Sequence, residues 1–288
     1  MANIMLAIGF SALAVFAAII FLRQPGADRE WSPALSRVAI FEETAPFRYK
    51  LQNVRAFEYD LEGATRKEWE THDVDANTLS EIWFFIEPFS ANPLFAHSYL
   101  SFVFTTPEDE RKTLSISIEA RKEAGNPYSP LRGAFRAYEL SYIWSTEKDI
   151  HSRIAIKLDH SLYAYKIDLD HDQAMIIFDH FVKRTNDLAE RPRFYNTLHS
   201  NCTNELAKAV NTAFPDALPW HRSWVLTGRS GKWLHRLGFV KPQETDFKSI
   251  TAQSDIQSFI KQAASLDADH FANQWRTNHA AGFSEITE

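Results

Sequence analysis

The chain has 288 residues and a formal net charge of −6, with 31 Lys and Arg against 37 Asp and Glu and no long basic run, which argues against nucleic acid as a partner. Its 22 Phe, 9 Tyr and 8 Trp supply core material for one large domain with an appendage. The single cysteine, Cys202, excludes a disulfide within the chain and leaves a free thiol to be accounted for.

Residues 4–22 are uncharged and almost wholly apolar, broken only by Gly9 and Ser11. As a helix this stretch reaches roughly 28 Å, enough to cross a hydrocarbon core. A cleaved signal peptide would bring a basic start, a shorter core and small residues before the cut. No Lys or Arg precedes this core, and its end, Ala18-Ile19-Ile20-Phe21-Leu22-Arg23, lacks an A-x-A site. Residues 1–23 therefore read as an uncleaved, single-pass transmembrane anchor in the cytoplasmic membrane. Arg23 and Arg29 lie on its far side, so the charge rule alone leaves the compartment of the domain open. Residues 24–36, beginning Gln24-Pro25-Gly26-Ala27-Asp28, read as a linker.

Residues 49–54 and 56–59 are expected as two short strands, and residues 79–86 as a buried strand closed by Pro88 and Pro93. Residues 95–104 alternate, with Leu100, Phe102 and Phe104 on one face and His97, Tyr99 and Ser101 on the other. Residues 114–121 repeat this, with Leu114, Ile116 and Ile118 set against Ser115, Ser117 and Glu119. Thr106-Pro107-Glu108-Asp109-Glu110 between them is turn material, so the two runs make a hairpin. A turn centred on Glu108 sets His97 directly opposite Glu119 on the polar face, within contact reach. A one-residue slip would part them onto opposite faces.

The loop from Arg121 to Pro130 is basic and offers an anion-contacting rim or a solvated turn. Residues 134–144 read as helix passing into strand, and residues 153–158 and 163–167 as further strands. Asp170-His171-Asp172-Gln173 opens a long amphipathic helix with Met175, Ile176, Phe178, Phe181 and Val182 as its buried stripe, ending before Pro192. In the next helix Leu206, Ala209, Val210, Ala213 and Phe214 recur at spacings of three and four. Ser200 or Asn201 is its N-cap, which puts Cys202 in the first turn. Free backbone N–H groups and the helix dipole there favour a thiolate, which Glu205 opposes modestly. A Trp- and Gly-containing stretch follows from residue 219 to 240. Residues 37–240 are expected as the domain and residues 241–288 as a helical C-terminal tail.

No HExxH occurs, one cysteine cannot build a thiolate-rich zinc site, and His151, His160, His171 and His180 are scattered as polar surface residues, so no metal is expected. Neither a G-x-S-x-G elbow nor a phosphate-cradling glycine loop is present, and no cofactor is expected. What remains is a thiol, an imidazole and a carboxylate. A thiol nucleophile needs a base within hydrogen-bond reach and a third group to orient that base. Cys202, His97 and Glu119 fit those roles. The plainer alternatives are a small buried apolar cysteine and an exposed cross-strand ion pair. The order His, Glu, Cys reverses that of papain, and a circularly permuted papain-like fold would give the same constellation.

At these residues the chain resembles a known family. Ala96-His97-Ser98-Tyr99-Leu100-Ser101-Phe102, Ser117-Ile118-Glu119-Ala120-Arg121-Lys122-Glu123, Tyr138-Glu139-Leu140 and Asn201-Cys202-Thr203 are similar to motifs of the Lnb N-terminal periplasmic domain family, over about residues 47–240. The family takes its name from a lipoprotein N-acyltransferase. The resemblance implies an α+β fold, a permuted NlpC/papain-like antiparallel sheet with packed helices, outside the cytoplasmic membrane. It implies acyl transfer through a thioester on Cys202, with His97 as base, Glu119 as its orienter, and Arg121, Asn201 and Thr203 near the substrate. Membrane lipid or lipoprotein would be the partner. A peptidoglycan or peptide amidase and a non-catalytic envelope scaffold are the competing expectations.

Overall fold

The computed structural model describes residues 20, 22–26, 29–89, 92, 94–242 and 245–284. Apart from Ile20, Leu22 and Arg23, the expected anchor lies outside the described residues. Among the described residues no helix is long and apolar enough to cross a membrane.

The fold is mixed α and β, with helices on both faces of one sheet. Its strands are β1 (Ile40–Ala45), β2 (Arg48–Tyr59), β3 (Ala64–Asp75), β4 (Leu79–Pro88), β5 (Ala96–Thr105), β6 (Arg111–Arg121), β7 (Glu139–Ser145) and β8 (Tyr163–Lys166). They lie in the order β1-β2-β7-β6-β5-β4-β8, with β3 paired to β2. Only the β2–β7 pairing is parallel among those described. The β5–β6 turn closes with Thr106 N donating to Glu110 O at 2.9 Å. This sets Tyr99 opposite Ser117 and Thr105 opposite Arg111. On the other side of β5, Glu87 of β4 faces His97.

The helices are α1 (Pro130–Ala134), α2 (Glu147–Ser152), α3 (His171–Glu190), α4 (Cys202–Ala213), α5 (Ser230–Arg236), α6 (Phe247–Gln253), α7 (Gln257–Ala263) and α8 (Ala268–Ser284). Strand alternation divides the core in two. Phe84, Leu100, Phe102 and Ile116 pack with Ile177, Phe178 and Phe181 of α3 and Leu206 and Ala209 of α4. Trp83, Phe85, Tyr99 and Val103 on the opposite face pack with Ile150, Ile154, Ile260, Phe271 and Trp275. Helices α7 and α8 thus help cover the second face, while Ile250 and Phe247 of α6 pack on the first. Helix α8 is fastened there by Arg276, whose guanidinium donates to both oxygens of the buried Glu147 at 2.5 and 2.7 Å.

Several expectations need correcting. Residues 153–158 are not a strand: α2 runs on into a π-helical turn, Arg153–Lys157. The apolar alternation of Ile154 and Ile156 fits either period over so short a run. Residues 49–54 and 56–59 form one long strand, joined through Arg55, whose guanidinium is buried on Asp149 at 2.7 Å. The long helix is capped as expected, by an Asp170–Gln173 capping box, but Ile176 is 43% exposed and the inner stripe runs through Ile177 instead. His151 is not a surface residue. It is fully buried between Phe85, Tyr99 and Trp275, where burial pushes its pKa down to about 4.

The linker lies along the end of β6. Ser32 N donates to Lys122 O at 3.0 Å and Ala124 N to Glu30 O at 2.8 Å. Arg121 covers the Trp31 ring at 4.3 Å, and Gly26 N donates to Glu139 Oε1 at 2.8 Å.

Candidate active site

Asn201 caps α4. Its Oδ1 accepts from Asn204 N at 2.9 Å, and its Nδ2 donates to Thr197 O and Trp224 O at 2.8 and 2.9 Å. The side chain is fully used in holding the helix start, which sets Cys202 at the first helical position, 8% exposed. Thr203 ties α4 to the sheet through Ser98, with the two hydroxyls 3.1 Å apart. This brings the start of α4 against the start of β5. The Cys202 thiol lies 4.0 Å from Thr203 Oγ1, within the electrostatic influence of His97 and Ser98.

His97 reaches its carboxylate through an intermediary. His97 Nε2 lies 2.7 Å from Ser117 Oγ, and that hydroxyl donates to Glu119 Oε1 at 2.6 Å. The direct His97 Nε2 to Glu119 Oε1 distance is 3.5 Å. With the hydroxyl proton committed to the carboxylate, the Ser117 oxygen is the acceptor for an Nε2–H. Tautomer and orientation of the ring are set together.

Charge follows from this arrangement. Burial opposes the imidazolium, but Glu119 and the Cys202 thiolate outweigh it and push the His97 pKa up to about 9. Burial likewise opposes the thiolate, yet the hydrogen bond and charge of His97, aided by Ser98, hold the thiol below its ordinary value. Glu119 is held below the usual carboxylate range: burial raises it, and His97, Arg153 and Ser117 more than compensate. All three shifts favour one state, a thiolate–imidazolium pair backed by a carboxylate. Glu205, expected to oppose the thiolate, is turned to other partners. Its carboxylate accepts from Tyr142 at 2.6 Å and from Lys208 at 2.5 Å.

Two tyrosines feel the charge of the thiol. Tyr128 and Tyr195 hydroxyls are 3.3 Å apart. Burial and the negative charge of Cys202 both raise the Tyr195 pKa, so the phenol stays protonated. Gly133 of α1 is what lets this cover close. A Cβ there would stand 2.5 Å from Thr197 Oγ1 and 3.3 Å from the Tyr195 ring. Behind α4 lies an apolar cavity of about 50 Å³, bordered by Phe84, Leu100, Thr203, Leu206, Trp224 and Trp233.

The structure thus brings Cys202, His97 and Glu119 together, with Thr203 and Asn201 beside the thiol. Arg121 is engaged elsewhere, donating to Leu35 O and Ser36 O at 2.8 Å each and lying 3.6 Å from Glu139. Sequence reasoning did not single out Ser117, Ser98, Tyr128 or Tyr195. Ser117 shares the strand parity of Glu119, so the hairpin pattern carried its signal, whereas Tyr128 arrives from a distant loop and Tyr195 stands outside any periodic pattern. Among the described residues no group of three or more His, Cys, Asp and Glu is placed to hold a metal ion.

No curated protein and no solved structure matches the chain. The profile of the Lnb N-terminal periplasmic domain family matches residues 65–227, a span that holds His97, Ser117, Glu119 and Cys202. By that match over more than half its length, the chain belongs to the Lnb N-terminal periplasmic domain family.

Proposed function

We propose that the protein is a membrane-anchored, cysteine-dependent acyltransferase or thiol hydrolase of the cell envelope, built on a circularly permuted papain-like fold. The observation that carries this reading is the Cys202–His97–Ser117–Glu119 chain, in which a thiol at a helix start meets an imidazole already oriented by a carboxylate. The family's description, a periplasmic domain, supports a place in the envelope.

In this mechanism the Cys202 thiolate attacks an acyl carbonyl, and the electron pair moves onto the carbonyl oxygen. The N–H groups of the first helical turn have no acceptor within the helix. Asn201 occupies that of Asn204, which leaves those of Cys202 and Thr203 to meet the oxyanion. Collapse expels the alcohol or amine, protonated by the His97 imidazolium, and leaves a thioester. His97, now neutral, takes a proton from an incoming amine or water, which attacks the thioester and releases the thiolate. With Nε2 engaged by Ser117, Nδ1 is the nitrogen that serves these transfers.

The test offers purified chain either diacyl phospholipid and lipoprotein or murein peptide fragments, alongside Cys202→Ala. Turnover of the ester that is lost in the variant supports the acyl reading. Turnover of murein amides alone replaces it with an amidase, and turnover of neither by wild type leaves a binding scaffold.

A further inference from the structure

A group of apolar side chains stands in water beside the candidate site. Leu131 is 72% exposed, Leu198 48% and Phe135 46%. Leu131 and Phe135 are one helical turn apart at α1, and the loop bearing Leu198 is fastened to both ends of that helix. Thr197 Oγ1 donates to Pro130 O at 2.7 Å, and Asn196 Nδ2 to Ala134 O at 3.4 Å. The same turn carries Arg132, exposed, and Arg136, half-buried.

This face is also where the apolar N-terminal stretch meets the domain. Residues 4–22 carry no charge, and the chain leaves them at Arg23. Arg23 Nη1 donates to Arg136 O at 3.4 Å, three residues before Gly26 is bonded to Glu139. The end of the apolar stretch is therefore pinned against the C-terminal side of α1, and Leu22 is itself 77% exposed. A segment that enters a bilayer just before Arg23 brings α1 and the residue 196–198 loop to the interface with it.

The geometry points to this face as a membrane-docking surface: Leu131, Phe135 and Leu198 enter the headgroup region of an anionic bilayer while Arg23 and Arg132 meet its phosphates. Exposed apolar side chains ringed by arginine are the composition that such binding requires. Docking would bring the loop that leads into α4, and with it the start of that helix, toward the lipid. The inference rests on the envelope reading above and on none of its thiol chemistry.

The test uses the full chain with Cys202→Ala, reconstituted in vesicles of phosphatidylethanolamine and phosphatidylglycerol, with single nitroxide labels at Leu131→Cys, Leu198→Cys or Leu61→Cys. Leu61 is 76% exposed in the β2–β3 turn, beyond the opposite end of the sheet from α1. Labels at 131 and 198 should lose collisions with a water-soluble nickel chelate and gain collisions with oxygen, while the label at 61 should be unchanged. Arg132→Glu should shift the label at 131 back toward water, since each arginine near an anionic surface contributes about fivefold in binding. If the chain floats with the vesicles but all three labels stay in water, docking is wrong and the anchor stands. If the chain does not float, both fall. Labels shielded from nickel and oxygen alike, with spin coupling between chains, would replace the lipid surface by a second copy and overturn the proposal.

Discussion

His97 and Glu119 sit on adjacent strands, yet their tightest connection is through a third residue, the Ser117 hydroxyl, at 2.7 Å from the imidazole and 2.6 Å from the carboxylate. The bridge makes the carboxylate's influence separable from its charge. Ser117→Ala keeps Glu119 in place but leaves Nε2 facing it across the direct 3.5 Å gap. The loss of one charge-assisted hydrogen bond predicts about a tenfold fall in the alkylation rate of Cys202 near neutral pH. Glu119→Gln removes charge as well and should cost more. Rates of iodoacetamide labelling in the two variants check the order.

The pH dependence has a definite sign. Cys202 is depressed, so its thiolate persists at pH values where a free thiol is protonated. His97 is raised to about 9, so the imidazolium is lost above that pH. Catalysis that needs both should show a bell whose alkaline limb falls near 9 and whose acid limb lies below the ordinary thiol range. The raised histidine also stabilises the fold below its unfolded pKa, a contribution that fades as pH rises through about 9. In His97→Ala the thiol should titrate upward, because burial is then opposed only by Ser98. A spectroscopic thiolate titration reads this directly.

Gly133→Ala tests the cover over the thiol. The added methyl would meet Thr197 Oγ1 at 2.5 Å, so the loop carrying Tyr195 must move. Overpacking of this kind costs about 1–3 kcal/mol. Urea unfolding should show that loss, and Cys202 should become faster to alkylate in the folded protein as Tyr195 is displaced.

The clasp on the second face is a buried pair, Glu147 with Arg276. Arg276→Ala strands a buried carboxylate, and a loss of about 3–5 kcal/mol is expected. The double variant Glu147→Gln, Arg276→Met should recover part of it. Thermal unfolding of the single and double variants decides whether α8 is held by the ion pair or by Trp275 and Phe271 packing alone.

Parts of this were legible in the sequence for local reasons. The Thr106–Glu110 turn is short and polar, so it left one register for the hairpin, and the register carried His97 to Glu119. Asn201 and Asp170 announce their helices through side chains that act within one turn. What was not legible depends on distant chain. Tyr99, Ser101, Ser115 and Ser117 alternate like a solvated face, but all are buried, on the side where Tyr99 packs with Ile150, Ile154, Ile260, Phe271 and Trp275. The face stays polar and dry, with Ser101 and Ser115 hydroxyls satisfying each other at 2.6 Å. Likewise β3, with Arg66, Lys67, Glu68 and Glu70, has too few apolar residues to signal a strand, and it is held as one by its pairing to β2.

The central claim is a covalent intermediate on Cys202, and intact-mass spectrometry tests it most directly. Wild-type chain incubated with diacyl phospholipid vesicles and then acid-quenched should gain the mass of one acyl group, removed by neutral hydroxylamine as a thioester is. Cys202→Ala should gain nothing, and His97→Ala should acylate far more slowly. Loss of the same lipid by the Cys202→Ala protein at the wild-type rate, or an acyl adduct that survives hydroxylamine and maps away from Cys202, would contradict the account.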